Sequence, residues 1–204
     1  MRILIACEFS GVVRDAFRRG GHDAVSCDLD PSESPGQHLL GDVLDHLDGI
    51  DGHPWDMMIA FPPCTYLCRA GARYWRDPLR RKRQDDAVGF VQTLWHAQIP
   101  RVCIENPPGC LSSRFNPVFQ TIQPWQFGHG YTKLTCLWLR GLPPLIDTVI
   151  HQGRESWTER NNPMSKQRSR RRSRTFPGIA EAMANQWGAL DRIADSSGPC
   201  SARN

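Results

Sequence analysis

The chain has 204 residues, 40% hydrophobic and 23% charged, with a formal net charge of +4. That length builds one well-buried core and not two; no run is apolar for long enough to span a bilayer, and the run at Met1 to Cys7 is too short for a secretory signal, so a cytoplasmic protein that does not enter membranes is expected. Between Ile150 and Pro177 eight Lys and Arg face two Glu, a net +6 that leaves −2 for the rest, which makes this segment either a polyanion contact or a solvated loop.

Arg2 to Cys7 reads as the first strand, Glu8-Phe9-Ser10-Gly11 as a tight turn, and Val12 to Arg19 as a helix ended by Gly20-Gly21. A glycine in such a turn either lets a ligand approach the backbone beside a helix N-terminus or serves the turn alone. His22 to Cys27 reads as the second strand. Asp28, at its end, either accepts both hydroxyls of a ribose, as in nucleotide-binding α/β folds, or caps the turn; Asp30 precedes a proline and suits a turn start better. Asp42 follows a loop rich in Pro, Ser and Gly, and serves as acceptor for an adenine amino group, as N-cap for Leu44 to Leu47, or as both.

Asp56 to Ala60 and Arg101 to Ile104 read as short buried strands. A helix from about Leu79 to Gln98 lies between them, with Val88, Val91, Leu94 and Trp95 on its inward face. Strand, helix, strand in so compact a span is a right-handed crossover, so the strands are expected to be parallel and adjacent. Phe61-Pro62-Pro63-Cys64-Thr65 leaves the first and Glu105-Asn106-Pro107 the second. A thiol and a carboxylate then stand side by side at the carboxyl edge, where open α/β sheets bind ligands. Arg73, Arg76, Arg80, Arg81, Lys82 and Arg83 either grip phosphate or solvate a helix start. The turn Gly128-His129-Gly130-Tyr131-Thr132-Lys133 enters a strand, Leu134 to Leu139, and presents Lys133 or Thr135 to a ligand, with Tyr131 and Trp138 as packing. Gly178 to Ile193 reads as a last amphipathic helix that covers the sheet with Ile179, Ala182, Met183, Gln186 and Trp187, and from Ala194 the tail is expected to be disordered.

Eight cysteines without a signal segment imply a reducing compartment and free thiols. Cys64 and Cys68 make one loose pair where a structural zinc site needs two, so no metal is expected. Cys7, Cys27, Cys103 and Cys136 fall in or at the ends of strands and read as packing. Cys64 differs, because two prolines stop the strand before it and hold its side chain at the sheet edge. A thiol becomes a useful nucleophile when cations lower its pKa from about 8.5, and the arginines nearby are expected to do so. A carboxylic acid beside it then protonates or hydrogen-bonds the electrophile. A cytosine ring needs this pair: its carbon 5 is a poor nucleophile until a thiolate adds at carbon 6 and an acid stabilises charge at nitrogen 3. The enamine so formed accepts a methyl group from a sulfonium donor.

Glu8-Phe9-Ser10-Gly11, Asp28, Gly41-Asp42-Val43, Pro62-Pro63-Cys64 and Glu105-Asn106-Pro107, in this order and spacing, resemble the motif series of DNA (cytosine-5) methyltransferases. The likeness spans about the first two thirds of the chain, and the Pro-Pro-Cys and Glu-Asn pair is its specific part. It implies a doubly wound, Rossmann-like class I methyltransferase α/β sheet with helices on both faces, in a single domain over residues 1–193. S-adenosylmethionine is the implied cofactor and DNA the implied partner. Phe9, Ser10, Gly11, Asp28, Asp42, Val43 and Pro62 would line the cofactor pocket, Cys64 would be the nucleophile, and Glu105 would bind nitrogen 3 of a flipped-out base. Departures accompany the likeness. Pro107 stands where the family has valine, and Tyr131-Thr132-Lys133-Leu134-Thr135 replaces its Gln-x-Arg-x-Arg, so that Lys133 and Thr135 take the places of two arginines. The closing Gly-Asn motif has its nearest counterpart in Ala184-Asn185-Gln186-Trp187-Gly188. A basic loop, 150–177, occupies the place of the target-recognition domain, so DNA binding should show little sequence preference. Methylation of a free cytidine nucleotide, and a catalytically inactive nucleic-acid-binding relative, are the alternatives. Compact phage-encoded proteins share this look. An amino-methyltransferase would place Asp or Asn before Pro-Pro and an aromatic after it, where Phe61 and Cys64 stand.

Overall fold

The computed structural model describes residues 1–69, 72, 76–115, 117–153, 155–157 and 166–190, the last group from 170 onward with side chains. Arg73, part of the basic segment and the tail from Ala194 lie outside the described residues. In chain order the elements are β1 (Arg2–Ala6), α1 (Val12–Arg19), β2 (Asp23–Asp28), β3 (His38–Leu40), β4 (Met57–Ala60), α2 (Pro78–His96), β5 (Arg101–Asn106), α3 (Leu111–Arg114), β6 (Phe119–Ile122), β7 (Tyr131–Thr132), β8 (Thr135–Arg140), β9 (Glu155–Ser156), α4 (Lys166–Ser173) and α5 (Pro177–Trp187). Seven strands form one sheet in the order β3-β2-β1-β4-β5-β8-β6. The first five run parallel, and β8 lies antiparallel to both β5 and β6.

The central strands are apolar on both faces because both faces are covered. Ile3, Ile5, Met57, Ile59 and Leu137 point into one core layer with Phe17 of α1 and Met183 and Trp187 of α5. Leu4, Met58, Val102 and Trp138 point the other way, into a layer with Val88, Val91 and Leu94 of α2. This is the doubly wound α/β sandwich expected, and β4 and β5 are parallel neighbours in register from Met57 opposite Arg101 to Ala60 opposite Ile104.

Four differences from expectation bear on the site. Strand β5 runs two residues further than its apolar run, because Glu105 and Asn106 pair with Leu137 and Cys136 of β8. Strands β3 and β6 lie within stretches that carry no apolar alternation, and they form at the outer ends of the sheet, where a neighbour supplies the ladder. Part of the basic segment expected as a loop is helical, as α4. The Asn185 segment lies at the end of α5, where Gly188 meets His22 at the start of β2. That is the amino edge of the sheet, so this segment does not stand in for a closing site motif beside Cys64.

Candidate active site

After Ala60 the chain leaves β4 through Phe61-Pro62-Pro63, and the prolines have no N–H to extend a ladder. Asn106, 1% exposed, donates its side-chain amide to the Pro62 carbonyl at 2.8 Å. The end of β5 thereby holds the turn that carries Cys64, and an unmade bond at this depth costs about 1–3 kcal/mol. One helical turn follows, in which the amides of Leu67 and Cys68 donate to the Cys64 carbonyl at 3.0 and 2.9 Å. Pro107-Pro108-Gly109 passes against this turn so closely that a Cβ on Gly109 would collide with the Leu67 carbonyl. From the other side Arg80 donates to the Thr65 carbonyl at 3.1 Å, Arg83 to the Tyr66 hydroxyl at 3.0 Å and Gln84 to the Tyr66 carbonyl at 2.9 Å. Arg80 and Arg83 therefore fasten the cysteine loop to α2, a role that neither sequence reading of them contained. Cys64 itself is exposed.

Glu105 lines a small cavity, about 10 Å³, with Phe61, Lys133, Thr135, Phe176 and Met183 around it. Burial pushes its carboxyl pKa up, and the Lys133 cation and a hydrogen bond from Thr135 oppose that rise. A carboxyl whose pKa is raised holds its proton to higher pH than usual, which suits it to act as an acid. The Thr135 hydroxyl, which is buried, also reaches the Lys133 carbonyl at 3.1 Å. The Lys133 ammonium donates to the Arg172 carbonyl near the end of α4 at 2.9 Å. The field at Cys64 includes both Glu105 and Lys133, so the structure brings the three groups together. Its balance reverses the expectation of an arginine-activated thiol. Although Cys64 is open to solvent on one side, a hydrogen bond with Cys68, partial desolvation of the thiol and the Glu105 charge raise its pKa, against which Lys133 acts to lower it. Arg80 and Arg83 of α2 bond to Thr65 and Tyr66.

Residues expected to hold a cofactor lie at the carboxyl ends of β1 to β4. Glu8, buried, accepts the amides of Val13 and Arg14 at 2.8 and 3.3 Å and the Ser10 hydroxyl at 3.1 Å. It thus caps α1 and turns Ser10 inward. Gly11 has φ +73°, and a Cβ there would lie 2.6 Å from the Arg14 guanidinium, so its glycine is required by the turn and by close packing. Arg14, 0% exposed, binds Asp15, Ser26, Ser32 and the carbonyls of Ser34 and Pro35, all between 2.8 and 3.1 Å. It knits the loop after β2 onto α1. The only sequence signal for this was an arginine beside the apolar stripe of Val13 and Phe17.

Asp28 is half-buried and accepts the Asp30 amide at 2.9 Å, and burial raises its pKa. Beside it Leu29 is 77% exposed. Cys7 leaves β1 in a left-handed conformation, φ 57°, and burial together with Asp28 pushes its thiol pKa up. Left-handed backbone at a residue other than glycine is uncommon and collects at functional sites. Asp42 caps the 3-10 turn Val43–His46 by accepting the Leu44 amide at 3.0 Å, and Val43 is buried. Over Phe9 lies α4: the Arg170 guanidinium is 4.7 Å from the ring centroid and pairs with Asp30 at 3.5 Å and Glu33 at 3.3 Å. Arg174 pairs with Glu33 at 2.7 Å. Among the described residues no three His, Cys, Asp or Glu converge as metal ligands, and no helix is long and apolar enough to cross a membrane.

No family model and no curated protein matches the sequence. Among solved structures, one described as a DNA modification methyltransferase encoded within an E. coli prophage superimposes with a TM-score of 0.51 at 14% identity, over 74% of this chain and 52% of that one. The S. pombe Dnmt2 methyltransferase superimposes more loosely, with a TM-score of 0.43 at 16% identity, over 77% of this chain and 51% of that one. The chain thus spans about half the length of each. Sheet order, strand directions and the first of these superpositions agree: the chain has a Rossmann-like α/β fold, shared with that prophage-encoded structure.

Proposed function

We propose that the protein is an S-adenosylmethionine-dependent methyltransferase acting on carbon 5 of cytosine in DNA, with Cys64 as covalent nucleophile and Glu105 as the acid at nitrogen 3. One observation carries this reading: Cys64 follows β4 and Glu105 stands near the end of β5, its parallel neighbour, with Lys133 beside Glu105 and the fields of both reaching Cys64. The cofactor edge fits the group it would hold. The half-buried Asp28 carboxylate suits a ribose diol, exposed Leu29 and half-buried Phe9 suit the faces of a purine, and Asp42 with Val43 suits its edge. When bound, S-adenosylmethionine supplies an electrophilic methyl group on a sulfonium.

The chain's own residues supply the rest. The Cys64 sulfur, as thiolate, forms a bond to carbon 6 while Glu105 holds its proton at nitrogen 3, so the electron pair of the 5,6 double bond becomes available at carbon 5. Once carbon 5 carries the methyl group, loss of its proton restores the double bond and expels the Cys64 thiolate. The cavity at Glu105 holds about one water, so Phe176 or its neighbours shift to admit a pyrimidine. Mass spectrometry of nucleosides, from DNA and from a free cytidine nucleotide each incubated with protein and cofactor, tests the assignment. 5-Methylcytosine is expected in the DNA arm. Product confined to the nucleotide arm moves the substrate, and a methylated product in neither arm overturns the enzyme.

A further inference from the structure

Helix α5 begins without a cap of its own. Phe176 stands at its N-cap and offers no side-chain acceptor, and Pro177 follows with no N–H to satisfy. The first N–H of the helix, that of Gly178, donates instead to Nε2 of the half-buried His129 at 2.9 Å, across 49 positions of the chain. We infer that His129 is a positioning residue for the Glu105 cavity: its neutral imidazole caps α5 and so sets Phe176, a wall of that cavity, and proton uptake at Nε2 releases the wall. The inference rests on the methyltransferase reading only for what the cavity receives.

Three observations carry it. First, Nε2 accepts an N–H, so the ring is neutral and carries its proton on Nδ1. An imidazolium has no lone pair to offer there, and its charge would face the positive end of the α5 dipole. Second, the cap is tied to the wall. The His129 and Phe176 rings lie 5.1 Å apart, and the Phe176 carbonyl accepts the amides of Ile179 and Ala180 at 3.0 and 3.1 Å, so ring, N-cap and first turn move as one piece. Phe176 lines the Glu105 cavity together with Thr175, Ile179 and Met183 of the same stretch. Third, the imidazole is presented by a fixed turn. Gly128, with φ +83°, closes the 3-10 turn Pro124–Phe127, the His129 amide donates to the Pro124 carbonyl at 3.2 Å, and the His129 carbonyl accepts the Tyr131 amide at 2.8 Å. A Cβ on Gly178 would collide with the Phe127 carbonyl, so this turn and the start of α5 are in direct contact. Partial burial holds the His129 pKa below its ordinary 6.5; of the groups whose charge reaches it, Glu181 of α5, itself paired with Arg19 of α1 at 3.8 Å, acts against that shift, and His151 of the loop after β8 acts with it. Lys133 stands 6.0 Å from the Phe176 ring. With a lowered value in the folded chain, the cap is complete above pH 6.5 and is lost as pH falls through that lowered value.

The test uses the full chain with Phe176 replaced by 4-fluorophenylalanine, followed by fluorine NMR from about pH 8 to about pH 5. Hydrogen exchange of the first-turn amides of α5 is measured alongside, corrected for intrinsic rates and referenced to the amides of β4 and β5. With His129 in place the fluorine resonance is expected to titrate with a midpoint below 6.5, and first-turn exchange to quicken about five-fold or more at the acid end, as for a lost N-cap. His129→Gln, which offers an acceptor near the place of Nε2 and takes up no proton, is expected to show neither change. His129→Phe, which keeps a ring on Phe176 and has no acceptor, is expected to exchange fast at every pH. A fluorine resonance that does not titrate with His129 in place, or a titration that persists in His129→Gln and so belongs to another group, overturns the inference. So does first-turn exchange in His129→Phe equal to that of wild type at neutral pH. Neither readout needs turnover: a chain that behaves in the expected way yet never methylates cytosine contradicts the proposed reaction and leaves the role of His129 at the cavity standing.

Discussion

Cys64→Ala is expected to lower methyl transfer by at least about 10⁴-fold, with thermal stability and cofactor affinity near wild type. Loss of activity follows from removing the atom that bonds to carbon 6, for which alanine has no substitute. Retained stability follows from where the side chain lies. Cys64 is exposed, and the turn around it is held by backbone bonds to its carbonyl, by Asn106 on Pro62, and by Arg80 and Arg83, none of which uses the sulfur. Exposed substitutions of this kind stay within about 0.5 kcal/mol. Cys68→Ala is the matched control. It removes the hydrogen bond that does most to raise the Cys64 pKa, so activity should persist and set in at lower pH. Steady-state kinetics with a melting curve check both. An active Cys64→Ala enzyme contradicts the covalent route.

Glu105→Gln is expected to lower turnover by about 10²- to 10⁴-fold and to change the shape of the pH profile. The sign follows from two raised pKa values with opposite requirements. Burial holds the Glu105 proton to higher pH than an ordinary carboxyl does, and its acid function is lost as pH rises through that raised value. Cys64 must lose its proton, and its raised pKa makes the thiolate fraction grow with pH. Wild type should therefore show a bell, because the active form pairs a Cys64 thiolate with a protonated Glu105 and is depleted at both ends of the pH range. Glutamine donates a hydrogen bond and no proton, so the falling limb should vanish. It also removes a carboxylate that raises the Cys64 pKa, so the single titration that remains should be that of Cys64, at lower pH than the thiol has beside an ionised Glu105. A variant that keeps the falling limb assigns that limb to another group.

The strands that hold the chemistry were legible because burial on both faces leaves unbroken apolar runs, as at Met57–Ala60, and two prolines after one of them announce where it stops. The helical period gave α1 and the buried face of α2 for the same reason. Strand β3 was not legible: His38 to Leu40 is half-exposed, and its pairing to Ser26, Cys27 and Asp28 leaves no local pattern. At the candidate site, the convergence of Cys64, Glu105, Lys133 and Thr135 was readable from strand ends and a glycine-rich turn. What surrounds them was not, since it is made by partners far apart in the chain. Arg170 and Arg174 meet Glu33, Arg14 gathers the loop at Ser32 to Pro35, and Arg83 turns to Tyr66. The thiol expectation failed at this level, because counting arginines near Cys64 in sequence does not say where their side chains point.

Intact-mass spectrometry with an oligonucleotide carrying 5-fluorocytosine at the target position, in the presence of S-adenosylmethionine, tests the covalent pair most directly, because fluorine at carbon 5 blocks the proton loss that would release the enzyme. The structure predicts a stable protein–oligonucleotide adduct that carries one added methyl group, maps to Cys64 and is absent from Cys64→Ala. Protein that makes 5-methylcytosine yet forms no such adduct, or forms it through another cysteine, contradicts the assignment.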